Sequence, residues 1–349
     1  MIRLHWVLLL AACVAASAQD KTPLEWNGMG LAASERNDFP EAERCYTKAI
    51  DAWAAMGMPF DAYRATALVN LGQTQSVRGD RHKGAKAFEQ AVALYKNTFG
   101  LENERTINAI NLLAATNLML GESARAEELL NQILPIERQY FAGGLQLART
   151  LTNLAIMYTS RRLPERAILL IDEALQIAIA TEGEESPDVA LDYTVAAEAH
   201  RVAGHYDRAL PLYRRSRSIY EKNLGADHTR VASILGQEGL ILMHDGKLAL
   251  ADRNMTRALE IITRQCPGCV IEQWVAEANL GMLRFKQKRY AEADSLLSHA
   301  LDLQERVTLH PGADMVSTMQ ALAKVREKLH RPDEAARLNA RANMLLTLR

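Results

Sequence analysis

The chain has 349 residues, 48 % of them hydrophobic and 24 % charged, an ordinary globular composition with ample apolar side chains to bury. A formal charge of −1 leaves no field for steering onto nucleic acid, so that class of partner is not expected. The densest basic run, Arg214, Arg215 and Arg217, reads as a solvated helix face rather than a phosphate patch.

The first segment in chain order differs from the rest. Arg3 and His5 precede an apolar run from Trp6 to Ala16, and Ala16-Ser17-Ala18 offers a small-residue cleavage site before Gln19. This is the layout of a secretory signal peptide, predicted over residues 1–18. Its 11 apolar residues are too few to span a bilayer, which needs about 20, and no later stretch qualifies. No transmembrane segment is therefore expected. Leu10-Ala11-Ala12-Cys13 is similar to a bacterial lipobox, and cleavage there would leave a lipid anchor on Cys13. The expected location is outside the cytoplasm, in the periplasm or the medium, with envelope anchoring as the alternative.

From residue 19 onward the chain repeats itself. The small residue of an Ala-x-x-x-large-x-x-Ala pattern recurs at Ala42, Gly84, Ala126, Ala167, Ala209, Ala251, Ala293 and Ala335. The spacing is 42 residues at every step except one of 41. A second small column lies 12 residues earlier, at Gly30, Gly72, Ala114, Ala155, Ala197, Gly239, Gly281 and Ala323. A third lies seven residues later, from Ala49 and Ala91 to Ala342, and an apolar column 10 residues later runs from Ala52 and Leu94 to Leu345. Fixed-period self-similarity with helical periodicity predicts stacked pairs of antiparallel helices. The small residue of each first helix is expected to meet the Ala of the second, because closely packed helices need small contact positions. Large residues such as Leu71, Tyr46 and Phe88 are expected to fill the space between repeats. Asn37-Asp38, Gly79-Asp80, Gly121-Glu122, Gly204-His205 and Asp245-Gly246 supply tight turns.

These columns resemble the tetratricopeptide repeat, with a small residue at position 8, Ala at 20, an aromatic at 24 and Ala at 27. Trp26 even stands where that repeat has its Trp. The longer period, the connectors Phe99–Asn103 and Leu224–His228, and the run Leu151-Thr152-Asn153-Leu154-Ala155 are similar to the kinesin-light-chain subclass. The resemblance implies an all-α, right-handed superhelical solenoid of about eight helix pairs. Its repeats fall at about 23–62, 63–104, 105–146, 147–187, 188–229, 230–271, 272–313 and 314–349. Pro135 departs from the pattern and should kink its helix. Glu238 occupies a column mostly of Leu, and either turns outward or is a partly buried carboxylate.

Catalytic signals are weak. Gly28-Met29-Gly30-Leu31-Ala32-Ala33 matches a dinucleotide fingerprint, but no strand precedes it and helix packing already accounts for Gly30. His200 and His205 read as a surface coincidence. No enzyme activity, metal or cofactor is expected. The compact chemical motif is Cys266-Pro267-Gly268-Cys269, in a connector between repeats. A redox pair would follow a strand and a zinc site needs two more ligands, so a disulfide closing the turn is expected of an exported protein.

The resemblance also implies where a partner would bind. Groove-facing positions in the family are 2, 5, 9, 12 and 13, often with Asn at 6. Here position 6 falls on Asn70, Asn153, Gln237 and Asn279. These amides either bond to the adjacent repeat or grip the main chain of an extended peptide. Leu240, Met243, Met282 and Phe285 offer apolar contacts, as inter-repeat packing or as ligand surface, and Glu198, Arg201 and Lys286 would set charge preference. The expected function is a protein- or peptide-binding scaffold using this groove. The alternative is an assembly subunit that binds through its convex face or edges.

Overall fold

The computed structural model describes residues 21–307 and 312–347. The leader, its cleavage site and Cys13 lie outside the described residues. Sixteen α-helices follow one another with no strand among the described residues, so the chain is an all-α solenoid. Two compact units divide it after Ser160.

Unit 1 contains α1 (Pro23–Glu35), α2 (Phe39–Met56), α3 (Asp61–Arg78), α4 (Arg81–Phe99), α5 (Glu104–Met119), α6 (Ser123–Tyr140) and α7 (Leu145–Ser160). Unit 2 contains α8 (Pro164–Glu182), α9 (Pro187–Val202), α10 (Tyr206–Leu224), α11 (Thr229–His244) and α12 (Leu248–Gln265). It continues with α13 (Val270–Lys286), α14 (Tyr290–Val307), α15 (Ala313–Lys328) and α16 (Pro332–Thr347). No helix among the described residues is long and apolar enough to cross a membrane.

Local chemistry sets the helix ends. Thr22 and Glu25 form a reciprocal capping box that starts α1, and Asn103, Ser186 and His228 cap α5, α9 and α11 through their side chains. One backbone feature recurs five residues before each Ala42-type position: a left-handed residue, at Asn37, Gly79, Gly121, Arg162, Gly204, Gly246, Lys288 and His330. The amide of the next residue then bonds back across the turn, as in Asp80 N to Gln75 O at 2.8 Å and Arg289 N to Arg284 O at 2.9 Å. That is the six-to-one bond of a Schellman turn. The turns at Arg162, Lys288 and His330 were not visible in the sequence, because no glycine or asparagine marks them.

Core packing follows the small columns with one correction. Ala42, Ala126, Ala167, Ala209, Ala251 and Ala293 are fully buried. A Cβ on Gly84 would lie 2.8 Å from the Gly72 carbonyl, so the small positions do bring the two backbones together. The first-helix glycines, however, chiefly make room for the large side chain of the second helix. A Cβ on Gly30 would meet the Tyr46 ring at 2.6 Å, and one on Gly72 the Phe88 ring at 2.8 Å. Tyr46 and Phe88 therefore seat within their own repeat. Leu71 packs on Ala33, Ala42 and Tyr46 of the preceding repeat, which is the inter-repeat filling expected of it. Both α6 and α10 run on through an internal proline, Pro135 and Pro211 respectively.

Candidate functional site: a cleft on the first helices of unit 2

In unit 2 the first helices α9, α11, α13 and α15 present one wall of side chains, and a cleft of about 250 Å³ opens among them. Arg201, Gln237, Leu240, Asn279 and Met282 line it together, five of the residues marked by the repeat pattern. Trp274, Val275 and Ala278 from α13 add an apolar side, and Asp314, Ser317 and Thr318 from α15 a polar one. Val275 and Ala278 stand at groove positions 2 and 5, so the pattern already contained them. The α15 residues carry no amide mark in the sequence, because position 6 of that helix is Ala321.

The amides at position 6 fall into two groups. In unit 1, Asn70 Nδ2 donates to Asn27 Oδ1 at 3.3 Å, and Asn153 Nδ2 lies 3.3 Å from both the carbonyl and Oδ1 of Asn111. Both are occupied by the preceding repeat, so Asn153 does not join the unit-2 amides as a peptide grip. In unit 2, Gln237 Oε1 is buried with no hydrogen-bond partner among the described residues. A lone acceptor of that kind costs about 1–3 kcal/mol unless something donates to it.

The apolar stripe also separates. Leu240 and Met282 line the cleft, whereas Met243 does not; Leu240 and Met243 are both half-buried against the cluster around Tyr213. Phe285 leans on Tyr290, ring centres 5.7 Å apart, and packs into the last core cluster. Trp274 packs against that same cluster, so both half-buried rings also serve the fold. Lys286 is exposed at the end of α13.

Charge in the site is mostly internally neutralised. Arg201 Nε donates to Glu198 Oε2 at 2.7 Å, and the buried Tyr213 hydroxyl donates to the same oxygen at 2.6 Å. The Glu198 hydrogen bonds raise the Arg201 pKa further, and burial pushes the Tyr213 phenol up. Glu238 is 2 % exposed and does not turn outward: Arg217 Nε donates to it at 2.8 Å and Asn254 Nδ2 at 2.9 Å. Glu277, behind the cleft, accepts from Gln273 at 3.0 Å and lies 2.7 Å from His299 Nδ1. His200 is buried, not superficial, and its Nδ1 has no partner among the described residues. Burial lowers its pKa. Among the described residues no group of three or more His, Cys, Asp or Glu side chains could hold a metal.

Cys266 follows α12 and Cys269 precedes α13, facing each other across the turn with their Cα atoms 5.3 Å apart. That separation lies within the range a disulfide spans. Cys45 is a buried thiol, its pKa raised by burial.

The repeat columns, the paired helices and their Schellman turns agree with a family pattern described as tetratricopeptide repeat, which matches residues 63–139, 146–222 and 274–342. The chain belongs to the tetratricopeptide-repeat family. It is 23 % identical over 206 residues to Protein KINESIN LIGHT CHAIN-RELATED 1 of Arabidopsis thaliana, covering 59 % of this chain and 34 % of that one. The chain thus spans about a third of the length of that relative. Among solved structures, a Rap protein complexed with competence and sporulation factor matches with a TM-score of 0.66 at 15 % identity, over 93 % of this chain and 85 % of that one. BtubC (BKLC) from P. vanneervenii matches with a TM-score of 0.53 at 19 % identity, over 65 % of this chain and 90 % of that one. At these identities the likeness is one of fold. As a tetratricopeptide-repeat protein, the chain is a scaffold for protein–protein interaction.

Proposed function

We propose that the protein is a non-catalytic scaffold acting outside the cytoplasm, and that it holds an extended peptide segment of its partner in the unit-2 cleft. The carrying observation is the unsatisfied Gln237 Oε1 beside Asn279, Leu240 and Met282 in one cleft wall. An extended main chain supplies the donors that such an acceptor lacks, and its side chains fill the apolar part. The Rap structure, crystallised with a bound factor, is a precedent for ligand binding on this architecture. Export rests on the charged start, the apolar run and Ala16-Ser17-Ala18. The mature chain would then begin at Gln19, and the intact mass of protein from its native host decides between that and a lipid-bearing Cys13.

The docking reading is tested with a displayed library of random peptides selected against the purified protein. Burial of one large apolar side chain contributes about 1.5–3 kcal/mol. The variant Trp274→Ala with Met282→Ala, checked for an unchanged helical spectrum, should therefore bind selected peptides at least about tenfold more weakly. Equal affinity in the folded double variant removes the cleft as the site and favours binding through the convex face or edges.

A further inference from the structure

We propose that the segment held in the unit-2 cleft carries a lysine or arginine beside an apolar side chain, with the cation seated at Asp314 and Trp274. This rests on the docking reading and adds the chemistry of the occupant. The cleft wall bears two formal charges, Arg201 from α9 and Asp314 from α15. Arg201 is already committed to Glu198, whose oxygen is held in turn by the buried Tyr213 hydroxyl. An incoming carboxylate would have to displace Glu198 from that arrangement, so the α9 side offers little to an acidic residue.

Asp314 is placed differently. It is exposed in the first turn of α15 and makes no ion pair with a described residue. A carboxylate there also suits the helix by itself, but the positive end of the helix amounts to only about half a charge, so this part of the wall stays net negative. Helix capping does not call for an indole ring in the same cleft. Trp274, which also packs against the last core cluster, supplies one, and Ser317 adds a hydroxyl oxygen beside the buried Thr318, whose own hydroxyl donates to the Asp314 carbonyl at 3.0 Å. A carboxylate, an aromatic face and a hydroxyl acceptor together fit a cationic side chain with a long methylene stem. Met282 and Leu240 in the same wall then take the apolar neighbour.

The experiment uses the selected peptides from the random library, with affinities read by fluorescence anisotropy at low and high salt. Peptides that depend on the cleft should share a basic residue next to an aliphatic or aromatic one. Asp314→Asn should weaken them about five- to tenfold, and Asp314→Lys more. Changing the peptide's basic residue to Gln should cost the same factor in the wild type and little in Asp314→Asn. Cleft-dependent peptides with no basic residue, or unmoved by Asp314→Asn, overturn this inference and leave the docking reading intact. Peptides indifferent to Trp274→Ala with Met282→Ala, or a library that returns no cleft-dependent binder, overturn both.

Discussion

In unit 1 the Glu137 carboxyl is fully buried and neither oxygen has a hydrogen-bond partner among the described residues, while in unit 2 Glu238 and Glu277 are just as deep and each is met by partners. Burial holds the Glu137 pKa up at about 7, with nearby Thr150 and Asn111 opposing the rise. The same solenoid thus raises the pKa of one buried carboxyl through burial and compensates others with Arg217, Asn254, Gln273 and His299. The amides divide along the same line. At position 6, unit 1 uses the Nδ2 atoms of Asn70 and Asn153 to hold one repeat to the next, whereas Gln237 Oε1 in unit 2 is without a partner among the described residues; elsewhere in unit 1, Gln75 Oε1 and Gln146 Oε1 are buried and unpaired as well.

The contrast can be broken most forcefully at Glu238. Arg217→Met leaves a buried carboxylate with Asn254 alone, and removing one member of a buried pair costs about 3–5 kcal/mol. The unit-2 urea transition, followed by Trp274, should move down accordingly. Adding Glu238→Leu should recover most of the loss. A midpoint unaffected by Arg217→Met would mean the pair carries no weight.

Glu137 sharpens the comparison through pH. Its folded pKa, about 7, lies above the ordinary value of 4.5, so the folded state binds the proton more tightly. The stabilisation is complete below about 4.5 and is lost as pH rises through about 7, an effect on the order of 3 kcal/mol. Unit 1, read by Trp26 and Trp53 in a Trp274→Phe background, should weaken from pH 5 to pH 8, and Glu137→Gln should flatten that slope. His200 in unit 2 runs the other way. Its lowered pKa makes a contribution present above 6.5 and lost as pH falls through the folded value. Identical pH profiles for the two units would remove the distinction.

Next in size is a steric pair. Gly84→Ala drives a methyl onto the Gly72 carbonyl at 2.8 Å and onto Ser76, and backbone cannot step aside. About 1–3 kcal/mol should be lost from unit 1. Gly239→Ala in unit 2 meets Met255 Cγ at 2.6 Å, a flexible side chain, and gains helix propensity worth about 0.5–1 kcal/mol. Its net change should be smaller, and equal losses at both sites would show that Met255 cannot move.

The smallest effect is at Cys266 and Cys269. In exported protein both should resist alkylation until reduced. Cys266→Ser with Cys269→Ser should cost unit 2 about 1 kcal/mol or less, since a loop this short restricts the unfolded chain little. Labelling of both thiols without reduction would show that the turn is open.

The sequence by itself determined the all-α repeat, its 42-residue period, the family and half of the cleft wall. It could do so because helix periodicity and close packing are local demands, and each repeat states them again. Whether Glu238 faced in or out was not legible, since that depended on Arg217 and Asn254 reaching it from two other helices. Nor were the turns at Arg162, Lys288 and His330, where ordinary, exposed side chains stand left-handed with φ near 60°. The fate of the amides was decided between repeats. Asn153 finds Asn111 one period upstream, while the residue one period upstream of Gln237 is the apolar Val195, and Gln237 Oε1 has no partner among the described residues. An amide's use depends on the residue the fold sets opposite it, and only the stacked structure supplies that residue.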